Sequence, residues 1–84
     1  MTTTEAFTRY NEVKREHPDA IILIRFGDFY ETYREDADIC AKELGITITW
    51  SRGSRFTLAG FPHFNLDTYL PRLIRAGHRV IITD

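Results

Sequence analysis

Apolar side chains recur at helical or alternating spacing along the whole chain, and their pattern predicts eight elements. A first helix is expected at about Thr4 to His17, because Pro18 disfavours helical geometry in the residue before it. The apolar run from Ala20 to Phe26 predicts a buried central strand. Phe29 to Tyr33 predicts a second strand, joined to the first by a tight hairpin whose turn, Gly27-Asp28, begins with glycine.

A second helix and a second hairpin are predicted in the middle of the chain. The helix runs from about Glu35 to Leu44 and is ended by Gly45 in the left-handed conformation. The alternating segments Ile46 to Ser51 and Phe56 to Gly60 then predict two further strands.

The last third of the chain predicts a helix and a closing strand. Asn65 is the expected cap of a helix that carries apolar residues at three- and four-residue intervals up to Gly77. Pro71 removes one helical hydrogen bond, so a kink or a later helix start is expected there. His78 to Thr83 predicts the final strand. The order α-β-β-α-β-β-α-β predicts an α/β fold of the α+β type, a mixed sheet of about five strands flanked by three helices.

Length and composition limit the classes of protein that fit. The 84 residues are one small domain, residues 1–84, and 43% of them are hydrophobic, which is enough for a core. No segment approaches the roughly 18 apolar residues of a membrane span, so no membrane partner is expected. The start lacks the features of a signal peptide and Cys40 has no partner for a disulfide, which together predict a reducing, cytoplasmic setting.

The charges are distributed unevenly. A net charge of −1 argues against a protein that coats nucleic acid without selectivity. Met1 to Lys42 contains six basic and nine acidic residues, whereas Glu43 to Asp84 contains five basic and three acidic residues. All five bases of the second half are arginines, which suit bidentate contact with phosphate. Ordinary surface solubilisation is the alternative explanation.

The most informative segment is Gly27-Asp28-Phe29-Tyr30-Glu31, at the first predicted hairpin. It is followed in order by Glu35-Asp36-Ala37, Leu44-Gly45-Ile46 and Leu58-Ala59-Gly60-Phe61-Pro62. With these motifs the chain resembles the amino-terminal mismatch-recognition domain, domain I, of the MutS DNA mismatch-repair family over about residues 7 to 84. The resemblance implies a DNA-binding module whose partner is double-stranded DNA with mispaired or unpaired bases.

The resemblance also implies roles for two residues. Phe29 would insert at the mispair from the minor groove, and Glu31 would hydrogen-bond the mispaired base. Residues two apart on a strand share a face, so both can reach one target. Inserting a ring costs least where pairing is already defective. A carboxylate only accepts hydrogen bonds, so the acceptors of an intact A·T minor groove repel it.

Each candidate has a purely structural alternative. Phe29 can be a core aromatic, and Glu31 a surface acid paired with Arg25 or Arg34. Arg52 and Arg55, at the tip of the second predicted hairpin, can bind phosphate or stack a base. They can equally belong to a solvated turn.

No constellation predicts catalysis, a metal or a cofactor. The acids Glu35, Asp36 and Asp38 can in principle join Asp28 around a metal, but acids in the first turn of a helix explain them more simply. Cys40 and the scattered histidines lack metal-ligand spacing. The chain has no GxxxxGK[ST] phosphate-binding loop, and in the MutS family the ATPase lies in other domains. The chain is therefore predicted not to be an enzyme.

Two hypotheses of different class follow. The first is a mismatch-reading DNA module, either free-standing or a piece of a longer protein, with the rest of a MutS-like assembly as a possible partner. The second is a protein-interaction module that keeps the fold and docks through exposed aromatics such as Phe29, Tyr30 and Trp50. A basic surface around Phe29 would favour the first hypothesis, and an acidic surface, built by Asp28 and Asp36, the second.

Overall fold

The predicted elements form in the predicted order. A computed structural model describes residues 1–84, with three helices and a five-stranded mixed sheet. The helices are α1 (Thr3–Glu16), α2 (Arg34–Leu44) and α3 (Leu66–Arg75), the last preceded by a 3₁₀ turn at His63–Asn65. The strands are β1 (Ala20–Phe26), β2 (Phe29–Tyr33), β3 (Ile48–Trp50), β4 (Thr57–Pro62) and β5 (Arg79–Thr83). No helix is long and apolar enough to cross a bilayer.

The sheet has the order β3-β4-β2-β1-β5, with β1 antiparallel to β2 and parallel to β5. Helices cover β1 on both faces, which is why its sequence is a continuous apolar run. Ala20, Ile22 and Ile24 pack towards α1, and we call this side the α1 face. Ile21 and Leu23 pack in the other core cluster, with residues of α2 and α3.

The turn between β1 and β2 has two residues and begins with glycine, as predicted. Gly27 has a φ of 59°, a backbone angle that residues with a side chain rarely adopt. Phe26 pairs directly with Phe29 across the turn. Arg25 fixes the turn from the side, since its Nε donates to the Gly27 carbonyl at 2.7 Å. Its guanidinium also lies 5.7 Å from the centre of the Tyr30 ring.

The second hairpin differs from the prediction in its bounds. β3 is Ile48–Trp50, shorter than the expected Ile46 to Ser51, and it is exposed along its length. β4 is Thr57–Pro62 rather than Phe56 to Gly60. The reason lies at Ser51, whose buried hydroxyl accepts backbone N–H groups of the following loop and so ends β3 early.

Pro71 does not delay the start of α3, so of the two expected alternatives, a kink or a later start, the later start is wrong. The helix begins at Leu66, directly after the 3₁₀ turn, and continues through Pro71 to Arg75. The carbonyl that would have accepted a hydrogen bond from residue 71 belongs to Asp67, which is an exposed residue. Burial of Leu73, which is fully enclosed in the core, favours the helix despite this loss.

Asp36 is a buried carboxylate that joins three elements. It is 2% exposed, and its Oδ2 accepts from the Tyr10 hydroxyl at 2.7 Å and from the Ile22 N–H at 3.2 Å. Lys14 Nζ donates to Oδ1 at 2.9 Å, the one salt bridge of the chain, and to the Ala20 carbonyl at 2.6 Å. Asp36 thus links α1, β1 and α2, a role that its place among first-turn acids did not reveal.

Replacing Asp36 by alanine should lower the free energy of unfolding by about 3–5 kcal/mol, because the Lys14 ammonium and two other donors lose their acceptor. The matched control is Asp38→Ala, which removes an exposed acid from the same helix and should cost less than about 1 kcal/mol. Urea denaturation followed by circular dichroism measures both. Equal losses in the two variants would show that Asp36 does not have this role.

Candidate nucleic-acid interface

Phe29 is an exposed aromatic at the start of β2. Its residue is 45% exposed, and it belongs to neither core cluster. In the register it lies opposite Phe26 of β1 and Pro62 of β4. Side chains alternate between the two faces of a strand, so Phe29 lies on the same face as Tyr33, four residues further along β2. Tyr33 packs against α1, and Phe29 is therefore on the α1 face. The alternative that Phe29 is a core aromatic is therefore wrong.

Glu31 lies two residues further along the same face and is half-buried. Its Oε1 accepts a hydrogen bond from the Tyr33 hydroxyl at 2.9 Å, while Oε2 has no partner within the chain. No salt bridge joins it to Arg25 or Arg34, so the alternative of a paired surface acid is also wrong. Oε2 remains free to accept a hydrogen bond from a ligand.

Phe29 and Glu31 line one open groove of about 460 Å³, which we call the Phe29 groove. Its other lining residues come from β3, β4 and the segment before β3, and they are Ile46, Thr47, Thr49, Leu58 and Gly60. Glu31 is the only charged residue of the groove. No basic residue lines the groove. Of the two acids expected near Phe29, Asp28 is exposed in the adjacent turn, whereas Asp36 is buried and ion-paired elsewhere.

Gly60 makes room for the Glu31 side chain. The two residues are paired between β2 and β4. A Cβ atom on Gly60 would lie 3.0 Å from the Tyr30 carbonyl oxygen and 3.3 Å from Glu31 Cγ, closer than side chains normally approach. The absence of a side chain at this position lets Glu31 lie across the neighbouring strand.

Arg52 and Arg55 lie on the loop between β3 and β4, as predicted. Both are exposed and neither forms a salt bridge. The loop is ordered by the Ser51 hydroxyl, which accepts from the N–H groups of Arg55 at 3.2 Å and Phe56 at 3.1 Å. The Phe56 ring stacks on Phe7 of α1 at 3.8 Å between centres. This contact holds the loop that carries Arg52 and Arg55, which we call the arginine loop, against α1.

The arginines are not part of the Phe29 groove. Phe29 pairs with Pro62, the last residue of β4, whereas the arginine loop precedes Thr57, the first. Five residues of strand separate these ends by roughly 16 Å. The distance corresponds to about five steps along one DNA strand, at 3.4 Å each. Arg52 and Arg55 can therefore reach the same duplex only at phosphates away from a base held by Phe29.

Sequence reasoning missed two residues of this site. Tyr33 shares the strand parity of Phe29 and Glu31, and that spacing is the signal that places its hydroxyl near the carboxylate. In the sequence, Gly60 stands out only as part of a motif. Its role becomes visible only when β2 and β4 are paired, because the close approach is between strands that are far apart in sequence.

Comparisons with known proteins agree with the motif resemblance. The profile of the family described as MutS domain I matches residues 4–84. A DNA mismatch repair protein MutS of Porphyromonas gingivalis is 54% identical over 87 residues and covers 100% of this chain. The proteins of the same name from Bacteroides fragilis and Cytophaga hutchinsonii are each 56% identical and cover 90% of it. The chain spans only 9–10% of the length of these relatives.

Exposure of Phe29 predicts that its ring contributes little to folding. Phe29→Ala should lower the free energy of unfolding by less than about 1 kcal/mol. Phe61→Ala is the matched control, since Phe61 is 3% exposed and lies in the core on the opposite face; its loss should cost about 3–5 kcal/mol. Chemical denaturation of both variants measures the difference. A large loss for Phe29→Ala would mean that the ring serves the core.

Proposed function

The chain belongs to the MutS domain I family, and on that premise we propose that residues 1–84 form one DNA-binding domain that probes duplexes for mispaired or unpaired bases. Phe29 is the proposed wedge and Glu31 the proposed hydrogen-bond acceptor. The observation that carries the proposal is their common groove, in which an exposed ring lies beside a carboxylate with one free oxygen.

A wedge must hold its position while it separates stacked bases. Phe29 is suited to this because it directly follows a two-residue turn, and Arg25 binds the carbonyl within that turn. Unstacking a base step costs a few kcal/mol, and less where the pair is already defective. A rigid ring that enters only where this cost is low selects for deformability rather than for sequence.

Glu31 adds a chemical criterion to the mechanical one. An intact A·T pair presents only acceptors to the minor groove, and these repel a carboxylate. A mispaired or unpaired base can turn an N–H donor towards the protein. The free Oε2 of Glu31 accepts from such a donor, so Glu31 penalises intact pairs and stabilises contact with defective ones.

Arg52 and Arg55 are the proposed phosphate contacts. Two neutralised phosphates correspond to a slope of about −2 in log K against log salt, which is shallow for a DNA-binding protein. With a net charge of −1 and no cation in the Phe29 groove, the domain alone binds DNA weakly.

Because this domain spans about a tenth of its relatives' length, we assign the remaining backbone contact, and any use of ATP, to other parts of a MutS-like assembly. A cytoplasmic setting is part of this proposal.

A protein-docking role is the second candidate. It is favoured by the absence of basic residues from the lining of the Phe29 groove and by Trp50, which is 64% exposed on the edge strand β3. Tyr30, which was also expected to be exposed, is buried in the core. Exposed aromatic rings are enriched at protein interfaces, where Glu and Lys are depleted. DNA binding separates the two candidates directly.

Fluorescence anisotropy of labelled duplexes at low salt tests the proposal. One duplex is fully paired, one holds a G·T mispair and one holds an unpaired base. We expect this chain to prefer the defective duplexes by about tenfold, and Phe29→Ala to erase that preference, since stacking of one base on an aromatic ring contributes about 1–3 kcal/mol.

The matched control is Phe64→Ala, which removes another exposed ring, 73% accessible, from outside the Phe29 groove. It should leave the preference unchanged. Equal affinity for all three duplexes, or none at high protein concentration, would contradict mismatch reading by this chain and favour the docking role.

A further inference from the structure

The Tyr33 ring is held in a cluster of aromatic side chains below Glu31. Tyr33 is 0% exposed, and its ring meets those of Phe7, Tyr10 and Phe56 edge to face, with centres 5.2–5.5 Å apart. These rings come from α1 and from the arginine loop. The ring therefore has one position, and its hydroxyl is delivered to a fixed point on the α1 face.

At that point the Tyr33 hydroxyl donates to Glu31 Oε1 at 2.9 Å. A buried hydroxyl needs a partner, and Glu31 is its only one within the chain. Burial, together with the negative charge of Glu31 and the hydrogen bond to it, raises the pKa of Tyr33 above its ordinary value. The group consequently keeps its proton at neutral pH and acts as a donor.

Glu31 is confined from a second direction by β4. A Cβ atom added to Gly60 would lie only 3.3 Å from Glu31 Cγ. The aliphatic part of the Glu31 side chain therefore packs against the Gly60 backbone. One carboxylate oxygen is thus bonded to Tyr33, and the stem lies against the strand. The remaining oxygen, Oε2, is the part of Glu31 without a bond inside the chain.

We propose that Tyr33 is a positioning residue that fixes the Glu31 carboxylate, so that Oε2 is presented to a single donor on a base. The consequence for DNA rests on the proposed function. A carboxylate that is already ordered does not lose rotamer freedom when a base binds, and this loss would otherwise weaken binding. One oxygen of the carboxylate is already bonded to Tyr33, so only the other can accept from a base. This arrangement favours a base that presents one N–H group over a base that presents two.

The hydroxyl can be removed without disturbing the ring. Tyr33→Phe keeps the aromatic packing and deletes only the donor. The matched control is Tyr10→Phe, which removes another buried hydroxyl of the same cluster. That hydroxyl donates to Asp36 at 2.7 Å and lies 3.1 Å from the Tyr33 carbonyl, but it does not contact Glu31. Both variants lose stability, so a difference between them reports on Glu31.

The first measurement needs no DNA. Side-chain NMR relaxation and scalar couplings of Glu31 should show one ordered rotamer in the unchanged chain and in Tyr10→Phe, and averaging among rotamers in Tyr33→Phe. A Glu31 side chain that stays equally ordered in Tyr33→Phe would overturn the proposal, whatever the domain does with DNA.

The second measurement is a double-mutant cycle with Glu31→Ala, read as the ratio of affinities for G·T and fully paired duplexes. Tyr33→Phe should lower this ratio roughly threefold to tenfold, as expected for the lost ordering of one side chain. It should have no further effect when Glu31 is already alanine. An equal effect in both backgrounds would mean that Tyr33 acts only through stability and would overturn its positioning role in DNA reading.

If the unchanged chain shows no preference between duplexes, the proposed function fails, and the NMR result alone decides whether Tyr33 positions Glu31.

Discussion

The buried carboxylate of Asp36 is the interaction on which the rest of the structure depends. β2 pairs with β1 only as far as Ile24, and beyond that point the Ile22 N–H donates to Asp36 instead of to a neighbouring strand. The same carboxylate binds Tyr10 and Lys14 of α1. One side chain of α2 therefore completes the sheet's hydrogen bonding and ties the helix on one face to the helix on the other. A buried charge is stable only with such a full set of donors.

From Asp36 the contacts continue to the proposed DNA-reading site. The Tyr10 hydroxyl that binds Asp36 lies 3.1 Å from the Tyr33 carbonyl, and the Tyr33 hydroxyl binds Glu31. Phe56 packs against the same aromatic cluster, so the arginine loop is held by it as well. The scaffold, Glu31 and the arginine loop are thus one packed network, and the free oxygen of Glu31 is the exposed end of a buried connection. The Phe29 ring is held separately, by the turn that Arg25 binds. A small domain can hold such groups rigidly only if they are anchored in its core.

The sequence predicted the features that depend on local periodicity, and failed where contacts join distant segments. The apolar run of β1, the Gly27 turn and the Gly45 helix end are local signals, and all three are confirmed. The early end of β3 depends on the Ser51 hydroxyl, and the helix through Pro71 depends on tertiary packing of Leu73, neither of which periodicity reveals. In the site, motif resemblance located Phe29 and Glu31. The separation of roughly 16 Å between Phe29 and the arginine loop, and the contacts of Gly60 and Tyr33, required the strand register.

Mismatch reading by the proposed wedge requires the Phe29 ring to enter the base stack at a defective pair. A duplex carrying the fluorescent base 2-aminopurine beside an unpaired nucleotide tests this directly, because its emission rises when it loses its stacking neighbour. We expect a rise in emission when saturating amounts of this chain bind, no rise with Phe29→Ala under the same saturation, and none on a fully paired duplex. Unchanged emission with the intact chain bound to the defective duplex would show that Phe29 does not insert and that the proposed wedge is wrong.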